Sequence, residues 1–157
     1  MYPVGEAVTQ NGLCRHGAGH LHVVTDRTDA PLRMSCPARA TELRAMRQVV
    51  DRWARGSGLP DDAVVDLQLA LGEAVANGIE HAYAAVEPGC VEIELSLHDR
   101  TGVRVRVVDH GRWRPVPAQR GDRGRGLQMI EQIAGSVHVR ADDSGTEVCF
   151  EVPIAAA

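Results

Sequence analysis

The chain has 157 residues, 44% of them hydrophobic, which is enough for one compact domain and too little for two well-buried ones. Its net charge of −4 provides no chain-wide basic field, so we expect a protein partner or a small ligand and no direct nucleic-acid contact. No segment has the length of an apolar membrane span and the N-terminus lacks a signal-peptide layout, so we expect a cytoplasmic protein with no membrane contact.

Residues 1–30 show no sustained hydrophobic periodicity, and we expect a flexible N-terminal extension before a single domain at residues 31–157. Candidate zinc ligands do occur in this segment, but their spacing matches no zinc finger and a mobile arm is favoured: Cys14, His16, His20 and His22. The four cysteines of the chain lack CxxC spacing and are expected to be small, reduced core residues: Cys14, Cys36, Cys90 and Cys149.

One strand and two helices are predicted at the start of the domain. Alternating apolar residues at 32–36 predict the strand, and an apolar face at 43–53 predicts a first helix that Gly56 ends. Pro60 and two aspartates begin a second helix that runs to about residue 83, because proline and carboxylates both suit a first helical turn.

The second half of the domain alternates strands with one further helix. Strict alternation at 91–97 and 103–107 predicts an antiparallel hairpin, and a helix at 126–134 is followed by strands at 137–139 and 148–152. The economical packing is an α+β two-layer sandwich, in which a mixed, mostly antiparallel sheet carries the helices on one face.

The second helix carries one polar row on an otherwise apolar surface. Glu73, Asn77 and His81 recur at every fourth residue, so they share one side of the helix. A carboxylate one turn from a carboxamide suits a hydrated Mg²⁺ and an oxygen nucleophile, because this hard cation prefers oxygen ligands. A solvated polar stripe explains the same spacing without chemistry, and for this motif alone that simpler interpretation is favoured.

A second motif, Asp109-His110-Gly111, stands at the end of a predicted strand. The carboxylate of Asp109 is a suitable acceptor for an exocyclic amine such as that of adenine, and Gly111 lets the backbone approach a flat ring. A turn that ends the strand is the alternative, since aspartate and glycine both favour turns.

Two glycines mark the predicted start of the third helix. Gly124 and Gly126 uncover backbone N–H groups that, with the helix dipole, form an anion site. The preceding loop is rich in glycine, proline and arginine and is long enough to be a lid. Its arginines either add charge to the anion site or are simply solvated: Arg120, Arg123 and Arg125.

In this order, and with Gly145-Thr146 in the last turn, the three motifs resemble the nucleotide-binding boxes of the GHKL superfamily, named for gyrase, Hsp90, histidine kinases and MutL. Among its members, the chain is similar over residues 32–153 to the bacterial anti-sigma-factor serine kinases. The resemblance implies the ATP-binding fold of that superfamily.

The resemblance also implies a role for each matching residue. Glu73 would be the catalytic base and Asn77 would ligate Mg²⁺. The remaining contacts to ATP would come from Asp109, Gly111, Arg123, Gly124, Arg125, Gly126, Leu127 and Thr146. His81 stands at a position typical of the family and is assigned no chemistry. The family further implies a homodimer whose partners are a sigma factor and a STAS-type anti-anti-sigma protein.

One departure and one alternative remain. Where the family often has a second glycine after Asp109 and Gly111, this chain has Trp113, a large aromatic residue at the base of the lid.

The leading hypothesis is a protein serine kinase that also sequesters a sigma factor. A non-catalytic ATP-binding module that only binds partners is the alternative, and the intact Glu73 argues against it. A domain without nucleotide is a third, disfavoured possibility.

Overall fold

A computed structural model of the protein describes residues 21–25, 30–82, 89–111 and 125–155. Its elements, in chain order, are β1 (His22–Thr25), β2 (Leu32–Pro37), a 3-10 turn (Ala40–Glu42), α1 (Leu43–Gly56), α2 (Asp61–Ala82), β3 (Cys90–His98), β4 (Gly102–Asp109), α3 (Arg125–Ala134), β5 (Val137–Asp142) and β6 (Gly145–Pro153). Among these described residues, no helix combines the length and apolar character needed to cross a membrane.

The described strands form one six-stranded sheet in the order β1-β2-β3-β4-β6-β5. All five pairings between them are antiparallel. The predicted α+β class is confirmed, and the parallel pairing that a mixed sheet would contain does not occur among the described strands. Two helices, α1 and α2, lie between β2 and β3, and the chain re-enters the sheet beside β2 in the opposite direction.

The core lies between one face of this sheet and the three helices. Alternate residues of the strands point toward the helices, and the largest fully buried side chains include Leu32, Met34, Ile93 and Leu95 from the sheet and Leu67, Leu71 and Ile130 from the helices. The other face carries charged cross-strand pairs such as Arg106 with Glu147, 3.0 Å apart. This is the two-layer arrangement that the alternation predicted.

The structure differs from the sequence-based expectation in the N-terminal segment. His22–Thr25 form the edge strand β1, which pairs with β2, whereas residues 1–30 were predicted to be a flexible extension. Contacts with α1 and the turn before it hold this region: the indole N–H of Trp53 donates to the carbonyl of Ala30 at 3.2 Å, and the N–H of Leu21 donates to Glu42 Oε2 at 3.3 Å. Four residues with a register shift are too few to show a periodicity in the sequence.

The expectation of reduced cysteines is confirmed for Cys36 and Cys149, which are free thiols, and is wrong for Cys90, which is disulfide-bonded. Cys36 is fully buried in the core, whereas Cys90 begins β3 at a half-buried position, so it is not the buried core residue that was expected. Cys14 and the candidate zinc ligands His16 and His20 lie outside the described residues.

Candidate functional site

The two polar residues of α2 that the sequence singled out face the start of α3. Glu73 and Asn77 are both half-buried on this 22-residue helix, whose other side packs in the core. A Cβ atom built on Gly126 would lie 2.9 Å from Glu73 Oε2 and 3.2 Å from Asn77 Nδ2. The ends of both side chains therefore touch the backbone of the first turn of α3, and only glycine leaves them room there.

Apolar packing explains why α3 begins at this place. Its inward side carries Ile130, which is fully buried, and the half-buried Leu127 and Ile133, which pack against the core. The first four N–H groups of any α-helix lack intrahelical acceptors. In α3 they belong to the turn that starts at Arg125, so the positive end of the helix dipole lies next to the oxygens of Glu73 and Asn77.

The second half of the site is the end of β4. Asp109 is the last residue of that strand and is 7% exposed, and its Oδ1 accepts the N–H of Gly111 at 3.1 Å. This hydrogen bond, from a backbone N–H to the side chain two residues earlier, forms an Asx turn and fixes the chain after the strand. On the neighbouring strand β6, the residue in register with Asp109 is Thr146, which is half-buried.

A glycine within α2 joins the two halves of the site. A Cβ atom built on Gly78 would lie 3.7 Å from Asp109 Oδ2 and 3.5 Å from a methyl group of Val91. The helix therefore passes beside the carboxylate of Asp109 one residue after Asn77. Glu73, Asn77, Asp109, Gly126 and Thr146, which come from four separate elements, consequently lie around one region.

Gly145 fixes the position of β6 against the end of β4. Its φ is +142°, a conformation that favours glycine, and a Cβ atom built on it would collide with the backbone carbonyl of Asp109. The glycine is thus required for the close approach that brings Thr146 beside Asp109.

Some residues of the predicted site lie outside the described part of the chain: Arg123, Gly124, the lid and Trp113. Arg125 is exposed at the start of α3 and Leu127 packs toward the core. The backbone of His81 belongs to α2, which agrees with the predicted helix.

Sequence reasoning missed Gly78 and Gly72, the two other glycines that shape α2 near the site. A Cβ atom built on Gly72 would lie 3.4 Å from Nη2 of Arg47, so the guanidinium of an α1 residue lies over α2 one position before Glu73. A glycine inside a helical pattern, which is unfavourable for the helix, was the signal that could have identified both positions.

The residues present fit a nucleotide with its cation. Carboxylate and carboxamide oxygens are suitable ligands for Mg²⁺, and Gly126 lets other groups approach the backbone of the first turn of α3, where a helix favours anions. A carboxylate held by a backbone N–H at the end of a strand is a suitable acceptor for an amino group of a base.

Comparison with known proteins identifies the family of the chain. The model of the family described as the histidine kinase-like ATPase domain matches residues 36–152, which is most of the chain. Curated relatives include the serine-protein kinase RsbW of Listeria innocua, 28% identical over 80 residues, and that of Bacillus licheniformis, 26% identical over 130 residues. The first match covers 51% of this chain and the second 73%. The chain spans about half the length of the Listeria relative (50%) and 81% of the Bacillus relative.

Solved structures show the same fold. The crystal structure of the RsbU and RsbW domains of Rv1364c from Mycobacterium tuberculosis superposes with a TM-score of 0.66 at 22% identity, and covers 82% of this chain and 33% of that one. The histidine kinase domain of the blue-light-activated histidine kinase from Erythrobacter litoralis superposes with a TM-score of 0.52 at 21% identity, and the match covers 76% of this chain and 62% of that one. The predicted resemblance to the anti-sigma-factor serine kinases is confirmed, and the chain belongs to the histidine kinase-like ATPase domain family.

Proposed function

We propose that this protein is an ATP-dependent protein serine kinase and anti-sigma factor, which phosphorylates an anti-anti-sigma protein and sequesters a sigma factor. The observation that supports this most is the contact of Glu73 and Asn77 with the first turn of α3. Phosphoryl transfer requires a proton acceptor, a cation ligand and an anion site, and Glu73, Asn77 and the start of α3 would supply them. The similarity to proteins named serine-protein kinases supports the same reaction.

In this proposal Asn77 would ligate Mg²⁺, which would supply positive charge to the phosphates when bound. Glu73 accepts the proton of the acceptor serine hydroxyl, for which it has to come within about 2.6–3.2 Å of that oxygen. The N–H groups of Gly124 and Gly126 hold the phosphates, with Arg123 and Arg125 adding positive charge.

The nucleobase end of the site is proposed to lie at the end of β4. Asp109 accepts a hydrogen bond from the amino group of adenine, while Gly111 lets the backbone approach the flat ring. Thr146 lies across from Asp109 on β6 and contributes from that side, and Leu127 provides an apolar contact. The 7% exposure of Asp109 supports this role, because a hydrogen bond to a base discriminates best in a site with little water.

The proposed partners are a sigma factor and a STAS-type anti-anti-sigma protein, with the kinase acting as a homodimer. The alternative is a regulatory module that binds ATP and partners without transferring phosphate. The two differ in only one requirement of the site, a working proton acceptor at Glu73.

Substitution of that carboxylate separates the two functions. Glu73→Gln keeps the shape of the side chain and removes its basicity, and Glu80→Gln, at an exposed position of the same helix, is the matched control. Labelled ATP, Mg²⁺ and each purified anti-anti-sigma protein of the same organism are incubated with the three forms. We expect transfer by the wild type and the control and a loss of at least about 10²-fold in Glu73→Gln. Transfer that survives the substitution removes Glu73 from its role, and ATP binding without any transfer favours the non-catalytic module.

A further inference from the structure

The row of α2 that carries Glu73 continues out of the site as an exposed apolar stripe. Residues 65, 69, 73 and 77 follow one another at every fourth position, so they form one ridge along the helix. Glu73 and Asn77 are half-buried where α3 covers the ridge, whereas Leu69 is 48% exposed and Val65 is 56% exposed. They are two of the few large hydrophobic side chains that are exposed among the described residues.

We propose that Val65 and Leu69, the α2 stripe, form the docking surface for the protein that carries the acceptor serine. This inference rests on the proposed kinase function, because it assumes that a serine is brought to Glu73. The stripe would contact apolar side chains of that protein close to its serine.

Distances along the helix support this occupant. With a rise of 1.5 Å per residue, Leu69 and Val65 stand about 6 Å and about 12 Å from Glu73 along the axis. A specific interface covers about 800 Å² on each partner, which corresponds to a disc of radius roughly 16 Å. An acceptor protein whose serine reaches Glu73 therefore covers both residues if the reaction site lies near the middle of the interface.

Charges beside the stripe define the partner further. Asp62 and Asp66 form the adjacent row of α2, and Asp62 is exposed while Asp66 is half-buried. We expect the acceptor protein to place a basic side chain there, next to the apolar side chains that cover the stripe. Apolar anchors beside matched charges give both affinity and register at an interface.

Substitutions within the stripe test this surface. Leu69→Lys and Val65→Lys remove an apolar contact and introduce a charge, and they retain helix-forming side chains, so the fold is kept. Val139→Lys is the matched control, because Val139 on β5 is 49% exposed and belongs to a different element. The probes are Mg·ATP and the purified STAS-type anti-anti-sigma protein of the same organism that the wild type binds most tightly.

We expect each stripe variant to weaken binding of the anti-anti-sigma protein, and to lower kcat/KM for transfer to it, by at least about tenfold. The dissociation constant for Mg·ATP should stay within about twofold of the wild type in all three variants, and Val139→Lys should leave every quantity unchanged. Binding and transfer by Leu69→Lys and Val65→Lys at wild-type levels would overturn the inference.

The remaining outcomes separate this surface from the kinase function. If the wild type binds the anti-anti-sigma protein without transferring phosphate, and Leu69→Lys abolishes that binding, the kinase proposal fails and the docking surface stands. If the wild type binds none of these proteins, or the stripe variants lose only self-association in sedimentation, the stripe is not the acceptor surface and the inference is wrong.

Discussion

Replacement of Gly126 by alanine tests the contact between α2 and the start of α3. The new methyl group would lie 2.9 Å from Glu73 Oε2 and 3.2 Å from Asn77 Nδ2. The shorter of these distances falls roughly 0.5 Å below an ordinary carbon contact, so the ends of both side chains have to move. Because they are the ends of flexible side chains, they can move without unfolding the helix pair.

We therefore expect Gly126→Ala to weaken nucleotide binding at the site and to change the stability of the fold little. Displacement of about 1 Å costs an active site about 10²-fold, so a shift of half that size is expected to cost about tenfold, or about 1.4 kcal/mol. The free energy of unfolding should change by no more than about 1 kcal/mol, since alanine also favours a helix over glycine by up to that amount.

Calorimetric titration with Mg·ATP and unfolding by urea measure the two quantities on the same preparations. Gly72→Ala is the control, because this glycine is also buried in a helix and its new methyl group would meet only the guanidinium of Arg47, at 3.4 Å. We expect Gly126→Ala to bind Mg·ATP about tenfold more weakly and Gly72→Ala to bind it normally. Equal affinity in Gly126→Ala and the wild type, at equal stability, would refute the assignment of this glycine to the site.

Three further predictions concern the structure around the site. Gly145→Ala should destabilise the fold by about 3 kcal/mol or more in urea unfolding, because the φ of +142° and the collision with the Asp109 carbonyl leave no room for a side chain. A variant with stability within about 0.5 kcal/mol of the wild type would contradict this prediction. Ile130→Ala should cost about 2–5 kcal/mol, since this side chain is fully buried between α3 and the core, whereas a cost below about 1 kcal/mol would show that α3 is not packed there. Burial and the nearby Glu42 raise the pKa of Cys36 to about 12, and burial and the nearby Glu147 raise the pKa of Cys149 to about 12. Neither thiol should therefore be alkylated by iodoacetamide in the folded protein near neutral pH, as followed by mass spectrometry. Rapid labelling of the native protein would contradict this. Since both folded-state pKa values lie above the ordinary thiol value of 9.0, the free energy of unfolding in urea should fall as the pH rises from about 9 toward 12, and a constant value over that range would contradict this.

The sequence was sufficient to predict the fold because its hydrophobic periods are strong. The strict alternation of β3 and β4 and the apolar faces of α1 and α3 identify elements that the structure confirms to within a few residues. β1 was missed because four residues carry too little periodicity, and its place depends on Trp53 and on Glu42 before α1, which are far from it in the sequence.

Less of the site could be predicted. The row from Glu73 to Asn77 and the turn at Asp109 follow from local spacing, but the contact of Gly126 with both side chains of α2 depends on how α3 packs. Gly78 was missed for the same reason, because its closeness to Asp109 is set by the distance between α2 and β4. Sequence spacing shows that residues share a helix face, and it does not show what faces them.

A Mg·ATP titration followed by the amide NMR spectrum tests most directly whether these groups form one nucleotide site. We expect the shifted amide signals to belong to residues 73–78 of α2, to residues 109–111, to the start of α3 and to Thr146, while the signals of strands β1 and β2 remain unchanged. If saturating Mg·ATP leaves the chemical shifts of these amides unchanged, or mainly shifts the signals of residues on the charged face of the sheet, these groups do not form one nucleotide site.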